Sequence, residues 1–256
     1  MATLSVVLAT FNEEENLPFC FSSISGLADE IVVVDGSSKD RTVEVAKKFG
    51  AKVLVTDNPV NFHINKQKAI ELATKEWILQ LDADERVTPK LVKEIKSEIQ
   101  NPKSETNGFW IPRKNWFLGR FLLKGGQYPD YTLRLYRKGK GGLPQKDVHE
   151  QARVTGKVGY LKEPLLHHPY KSFTFYLFKW NRYNDFLAGQ IKEDLKNKNF
   201  FSHLVYFLGY LLIKPTHWFL TTYIRHKGFM DAWQGFIFSF FSGLRFPVSY
   251  IKYLFL

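Results

Sequence analysis

Much that would steer a reading of this sequence is missing from it. Cysteine occurs once in 256 residues, as Cys20, so no disulfide can form within the chain, and that usage suits a reducing compartment. Gly-rich phosphate loops are lacking as well. Residues 10–16 contain no glycine, which excludes the dinucleotide signature after a first strand, and the absence of a Walker A sequence excludes a P-loop NTPase. No stretch supplies the roughly 20 uninterrupted apolar residues of a spanning helix. Residues 1–11 lack the basic start of a signal peptide, and Asn12 and three glutamates then break the apolar run, so a cytosolic chain is expected. There is no internal repeat, no low-complexity tract and no recognised nucleic-acid motif. Acid becomes scarce late in the chain, where Asp231 is the only one after Asp194.

What is present leans the other way. The formal charge is +11 and aromatics make up 16% of residues, which favours an anionic partner such as a phosphorylated substrate or an acidic membrane surface. The apolar content is ample for a packed core. The length suits one sizeable domain, alone or with an appended module.

The first hundred residues alternate strand and helix. Residues 4–9, 31–34, 53–55 and 77–81 read as short buried strands. Helices are expected over 17–27, 41–49 with Asp40 as N-cap, 65–74, and from the Thr88–Pro89 cap to about residue 100. Four such units with short connections imply right-handed crossovers and an α/β fold with a mostly parallel sheet flanked by helices. The first, second and fourth strands each end in polar residues, which therefore gather on one rim, where open α/β sheets bind ligands. The fourth ends in Asp82-Ala83-Asp84-Glu85. Extended backbone there would put Asp82 and Asp84 on one face, and one or two carboxylates with phosphate oxygens can hold Mg²⁺ or Mn²⁺. Alone, the pair fits a metal site and a solvated strand end equally well.

Three ordered motifs, Thr-Phe-Asn-Glu-Glu at 10–14, Asp-Gly-Ser-Ser-Lys-Asp at 35–40 and Asp-Ala-Asp at 82–84, resemble those of the family-2 glycosyltransferases with the GT-A fold. That resemblance implies a nucleotide-sugar site in which Thr10, Asn12 and Glu13 line the pocket and Asp35 contacts the base. It implies that Asp82 and Ala83 face the nucleotide sugar and that Asp84 holds Mg²⁺ or Mn²⁺ on the diphosphate. Lys66 is a candidate phosphate contact, and Arg134 and His149 are candidates for phosphate or acceptor. Each has a plainer alternative: loop or cap residues for Thr10 and Asn12, a turn before Gly36 for Asp35, a solvated helix start for Lys66. In such enzymes an acidic pair near 147–150 carries the catalytic base. Glu150 matches that position, with Asp147 and Asp130 as rivals. His167 and His168 are not expected to be ligands, since isolated histidines are more often structural.

The pattern including 128–130, 148–150 and 168–171 further resembles bacterial lipopolysaccharide core glucosyltransferases acting on inner-core heptose. This implies UDP-glucose as donor, a glycolipid acceptor and inversion at the anomeric carbon. Another cell-envelope polysaccharide, a polyprenyl-phosphate acceptor, and a basic non-catalytic membrane-surface module are the alternatives. The expected division is a catalytic domain over 1–170, with a nucleotide-sugar half over 1–105 and an acceptor half over 106–170, then a helical region over 171–256. In that region the run 200–213 is expected to stop at Lys214-Pro215, with separate apolar runs at 229–241 and 248–256. Interfacial helices on the cytosolic face of the inner membrane fit these runs. An internal helical layer or a dimer seam are the alternatives.

Overall fold

The computed structural model describes residues 1–101, 104–145 and 151–256. The chain divides into two compact units, one of residues 1–113 and 130–167, the other of 114–129 and 168–256.

The first unit starts with the expected alternation: β1 (Leu4–Thr10), α1 (Leu17–Ser23), β2 (Glu30–Asp35), α2 (Thr42–Lys48), β3 (Lys52–Val55), α3 (His63–Leu72), β4 (Trp77–Gln80), β5 (Glu85–Val87) and α4 (Pro89–Ile99). Thr88 caps α4, its side chain accepting from Leu91 N at 3.1 Å. Strands β3, β2, β1 and β4 lie side by side and parallel. Their register sets Thr10 beside Asp35 and Val7 beside Gln80. β1, β2 and β4 are largely apolar on both faces because helices cover both, whereas β3 at the sheet edge is mostly exposed. Leu4, Val6, Leu8 and Leu79 enter the core under α1 and α4, while Val7, Val32, Val34 and Ile78 enter the one against α3.

Antiparallel strands extend the sheet beyond β4. The chain runs through β6 (Gly108–Phe117), β7 (Arg120–Leu122), β8 (Asp130–Arg137), β9 (Gly141–Gly142), β10 (Arg153–Val154), β11 (Val158–Tyr160) and β12 (Leu165–His167). The order is β3-β2-β1-β4-β8-β6-β12-β5, with β11 and β7 also on β6 and a separate β9–β10 pair. β8 lies against β4, so Arg134 on β8 sits one residue from the Leu79–Leu135 register pair. β12 pairs with β5, matching His167 to Glu85.

The second unit comprises the β6–β7 hairpin end, α5 (Phe173–Leu195), α6 (Phe200–Leu208), α7 (Lys214–Leu220) and α8 (Ala232–Tyr253). Residues 114–129, expected in the acceptor half, fall here, because Phe117 and Leu122 pack with Tyr176, Trp180 and Phe241. Two expectations are corrected. Lys214-Pro215 does not end the preceding helix: a π-helical stretch, Gly209–Ile213, joins α6 to α7, and a second, Thr221–Arg225, follows. Proline needs no backbone donor, and the wider π turn relieves its ring of the carbonyl one turn back. Likewise most of the runs at 229–241 and 248–256 belongs to one helix, α8, which continues through Pro247. No helix of the described residues is long and apolar enough to cross a membrane.

Candidate functional site

The rim is assembled from three strand ends. Thr10 and Asp35 are both buried, and the Thr10 hydroxyl donates to Asp35 Oδ2 at 2.8 Å. The same oxygen accepts from the Ser38 hydroxyl at 2.6 Å, and Asp35 Oδ1 accepts from Ser38 N at 2.8 Å. Asn12, at φ 56°, donates its N–H to Ser38 Oγ and accepts from Lys39 N, both at 2.8 Å. Positive φ suits asparagine, and here it turns the first loop against the second. Glu13 N reaches Thr42 Oγ1 at 2.7 Å, while Glu13 Oε2 accepts from Asn16 at 2.6 Å. The two loops are thus one knitted surface with Asp35 at its base.

Asp40 is not the cap itself. α2 starts at Thr42 with Arg41 in the cap position, and Asp40 accepts from Thr42 N at 3.0 Å and from Glu14 N at 3.2 Å. Its carboxyl is held below the usual range: burial opposes this, but the bonds from Thr42 and Glu14 outweigh it.

At the end of β4 the expected extended pair is a turn. Ala83 and Asp84 occupy it, closed by Glu85 N donating to Asp82 O at 3.0 Å. The two aspartates therefore do different things. Asp82 is gripped between cations, with Arg134 on Oδ2 at 2.6 Å and Lys66 on Oδ1. Lys66 and Arg134 are buried, so Lys66 is not a solvated helix start. Arg134 also reaches the fully buried Glu85 at 3.1 Å, and Arg113 joins Glu85 at 3.5 Å to Asp130 at 2.7 Å. Burial alone would raise the pKa of Asp82, yet the Arg134 and Lys66 charges hold it well below the ordinary carboxylate range. Arg134 is pushed upward by Asp82 and Glu85 against its own burial.

Asp84 has another neighbour. His167, at the end of β12, brings Nε2 to within 3.5 Å of Asp84 Oδ2. Nothing local in the sequence marks His167 for this place. The signal lay in topology: β12 pairs with β5, the strand that leaves the Asp82–Asp84 turn.

Beside Asp82 a cavity of about 160 Å³ is lined by Lys66, Gln80, Arg113, Thr132, Arg134 and Gln151, among others. Arg134 Nε is buried with no hydrogen-bond partner among the described residues, and an unpaired buried donor of that kind favours an anionic guest. Asp130, a rival for the base, is already held by two nitrogens of Arg113. Glu150, Asp147 and His149 lie outside the described residues.

Residues 5–166 match the family model described as Glycosyl transferase family 2. The chain belongs to glycosyl transferase family 2. The lipopolysaccharide core biosynthesis glycosyltransferase LpsC of Rhizobium meliloti is 29% identical, over 94% of this family-2 chain and 91% of LpsC. A TPR repeat-containing protein of Synechococcus elongatus is 35% identical over 59% of the chain, which covers only 35% of that larger protein. Among solved structures, S. aureus TarS 1–349 superposes with a TM-score of 0.50 at 14% identity, covering 98% of this chain and 91% of TarS 1–349. The fold is GT-A.

Asp84 Oδ2 and His167 Nε2, 3.5 Å apart, are close enough to share a divalent cation if one binds here. No cluster of three or more metal-binding side chains occurs among the described residues, so from these residues a cation would draw two ligands, with diphosphate and water able to fill other positions. The donor set fits, as an imidazole beside a carboxylate suits Mn²⁺ better than Mg²⁺.

Proposed function

We infer that this family-2 glycosyltransferase transfers a hexose, with inversion, from a nucleotide sugar of the UDP-glucose type to a glycolipid acceptor of lipopolysaccharide core biosynthesis. The observation that carries the reading is the split between Asp82, locked by Lys66 and Arg134, and Asp84, paired with His167. The name and near full-length match of LpsC support the acceptor class.

The division of labour follows from the geometry. Asp35, fixed by Thr10 and Ser38, supplies a rigid acceptor at the foot of the knitted loops for a base or ribose. Lys66, Arg134 and Arg113 set fixed positive charge beside Asp82, which suits phosphate oxygens and needs no reorganisation as charge builds on the leaving diphosphate. A cation held by Asp84 and His167 would neutralise part of that charge as a Lewis acid. Inversion needs one carboxylate to take the acceptor hydroxyl's proton from the face opposite the leaving group. Glu150 is assigned that role, with Asp147 next in line. Asp130 is a poorer base because Arg113 occupies it.

Titration calorimetry with UDP, with and without Mn²⁺, tests the reading. Metal-dependent UDP binding is expected, lost in Asp84→Ala without loss of thermal stability, and retained in Glu150→Gln together with a loss of turnover of about 10²–10⁴-fold. Metal-independent binding would remove the cation, and near-normal turnover in Glu150→Gln would pass the base to Asp147.

A further inference from the structure

We propose that α6, α7 and α8 form one membrane-seating face, and that its occupant is a bilayer surface bearing anionic headgroups. The evidence lies within the second unit. From Phe200 to Arg225 the chain is helical throughout, about 39 Å at 1.5 Å per residue. Along it Phe201, Val205, Leu208, Leu212, Leu220 and Ile224 are all exposed, at intervals that repeat once per helical turn or a multiple of it. A second stripe at the same period runs through Trp233, Phe236, Phe240 and Ile251 of α8 to Leu254 at its C-cap, also exposed. An apolar groove of about 290 Å³ is lined by Thr216, Phe219 and Leu220 from α7 and by Phe240, Leu244 and Pro247 from α8. Leu220 of the first stripe and Phe240 of the second line that groove together. The helices can approach this closely because a Cβ at Gly243 would meet Pro215 O at 2.7 Å.

Eleven large apolar side chains about half exposed, at roughly 200 Å² each, leave on the order of 1,000 Å² of apolar surface, above the 300–600 Å² of the largest patch on an ordinary monomer. The stripes run along the sides of the helices, which is how a helix lies in the plane of an interface.

Charge selects the occupant. After Asp194 the chain carries Lys196, Lys198, Lys214, Arg225, Lys227, Arg245 and Lys252 against one acid, Asp231. Asp231 is buried, accepting from the N–H groups of Leu123 and Lys124 and facing Arg120. No acidic side chain of this region is exposed. Lys252 is paired with Asp185 on α5, whereas Arg225 and Lys227 are exposed where the first helical stretch ends. The Lys214 ammonium lies over the Tyr210 ring, 3.5 Å from its centroid, and the Arg245 guanidinium over the Trp218 ring at 5.0 Å, so both charges rest on aromatic faces. Within α6–α8 a second copy would offer no exposed acid to these cations, and the neighbouring Asp185 and Asp194 of α5 already meet Lys252 and Tyr206. An anionic bilayer meets both the apolar stripes and the charge.

Such a face would hold the chain where a glycolipid acceptor is found, and in that respect it rests on the function proposed above. Its test is separate. Full-length protein is floated with vesicles of phosphatidylcholine alone or mixed with phosphatidylglycerol, while UDP binding is measured in parallel. Binding to the acidic vesicles is expected, weaker on the neutral ones and weakened by salt. Leu212→Glu/Phe240→Glu should lower vesicle affinity by about tenfold or more, and Arg225→Glu/Lys227→Glu should remove the preference for acidic lipid. Both pairs should bind UDP as the parent does, which shows them folded and keeps the catalytic reading apart. Vesicle binding unchanged in Leu212→Glu/Phe240→Glu would overturn the proposal. So would an absence of vesicle binding accompanied by a dimer in light scattering that the same substitutions dissociate.

Discussion

At the scale of single residues, the buried acids divide into those that stabilise the fold and those available for chemistry. Glu30 is a stabilising acid. It accepts from Lys52 at 2.6 Å, from Thr74 N at 2.7 Å, from the Thr74 hydroxyl at 2.9 Å and from Ser5. Burial would raise its pKa, but these bonds prevail and bring it down from 4.5 to about 2. Because the folded value lies below the unfolded one, this stabilisation is complete above about pH 4.5 and is lost as pH falls toward about 2. Glu30→Gln should cost about 2 kcal/mol at neutral pH, discounted for the exposure of Lys52. That cost should shrink as the pH is lowered through this window in denaturant melts, whereas parallel stability curves would assign Glu30 no ionic role. For the acids at the rim, the motifs at 10–14, 35–40 and 82–84 were legible as the ends of neighbouring strands, which the sheet order places side by side. Who partners whom was not. Lys66 and Arg134 reach Asp82 from residues 16 and 52 positions away, and His167 reaches Asp84 across 83. Such pairing is decided by strand order, which no local pattern encodes.

At the scale of elements, strand and helix existence was readable over the first hundred residues because apolar runs and caps are local signals. The Thr88–Pro89 helix start is an instance, as its cap bond lies within three residues. The C-terminal helices were harder. Proline at 215 and 247 reads as a terminator, yet both positions lie within continuing helix, supported by packing between α7 and α8. That packing requires glycine at particular positions. A Cβ at Gly235 would lie 1.9 Å from Gly228 O, a backbone atom of the turn preceding α8. Gly235→Ala must therefore displace that turn and is expected to lower stability by about 2 kcal/mol or more. Gly189→Ala, where nothing lies within 4 Å of the new Cβ, should be neutral or slightly stabilising, since alanine favours helix. Thermal melts of the two variants make the comparison. Equal melting temperatures would mean that the turn yields at little cost.

At the scale of the whole molecule, the two units divide the proposed work. The residues proposed for the nucleotide sugar, Thr10, Asp35, Lys66, Asp82, Asp84 and Arg134, belong to the first unit, and the exposed apolar stripes of α6–α8 to the second. Composition hinted at this division, with acids concentrated early and aromatics with basic residues late. It could not reveal that residues 114–129 join the later unit, because that depends on Phe117 and Leu122 meeting Tyr176. Hydrogen exchange should resolve the division. UDP with Mn²⁺ at about 100 times its dissociation constant stabilises the state that binds it by about 2.7 kcal/mol. Amides that exchange only through opening of the site should then slow by about a hundredfold. The expected positions are residues 10–16, 35–42 and 80–87, where the knitted loops and the Asp82–Glu85 turn lie. Acidic vesicles should instead slow the exposed segments within 200–225 and 229–254, leaving the three rim loops unchanged. If UDP with Mn²⁺ protected only the C-terminal helices, the nucleotide site would have to be moved off the rim. If vesicles protected the rim loops and not the helices, the second unit would lose its assigned role.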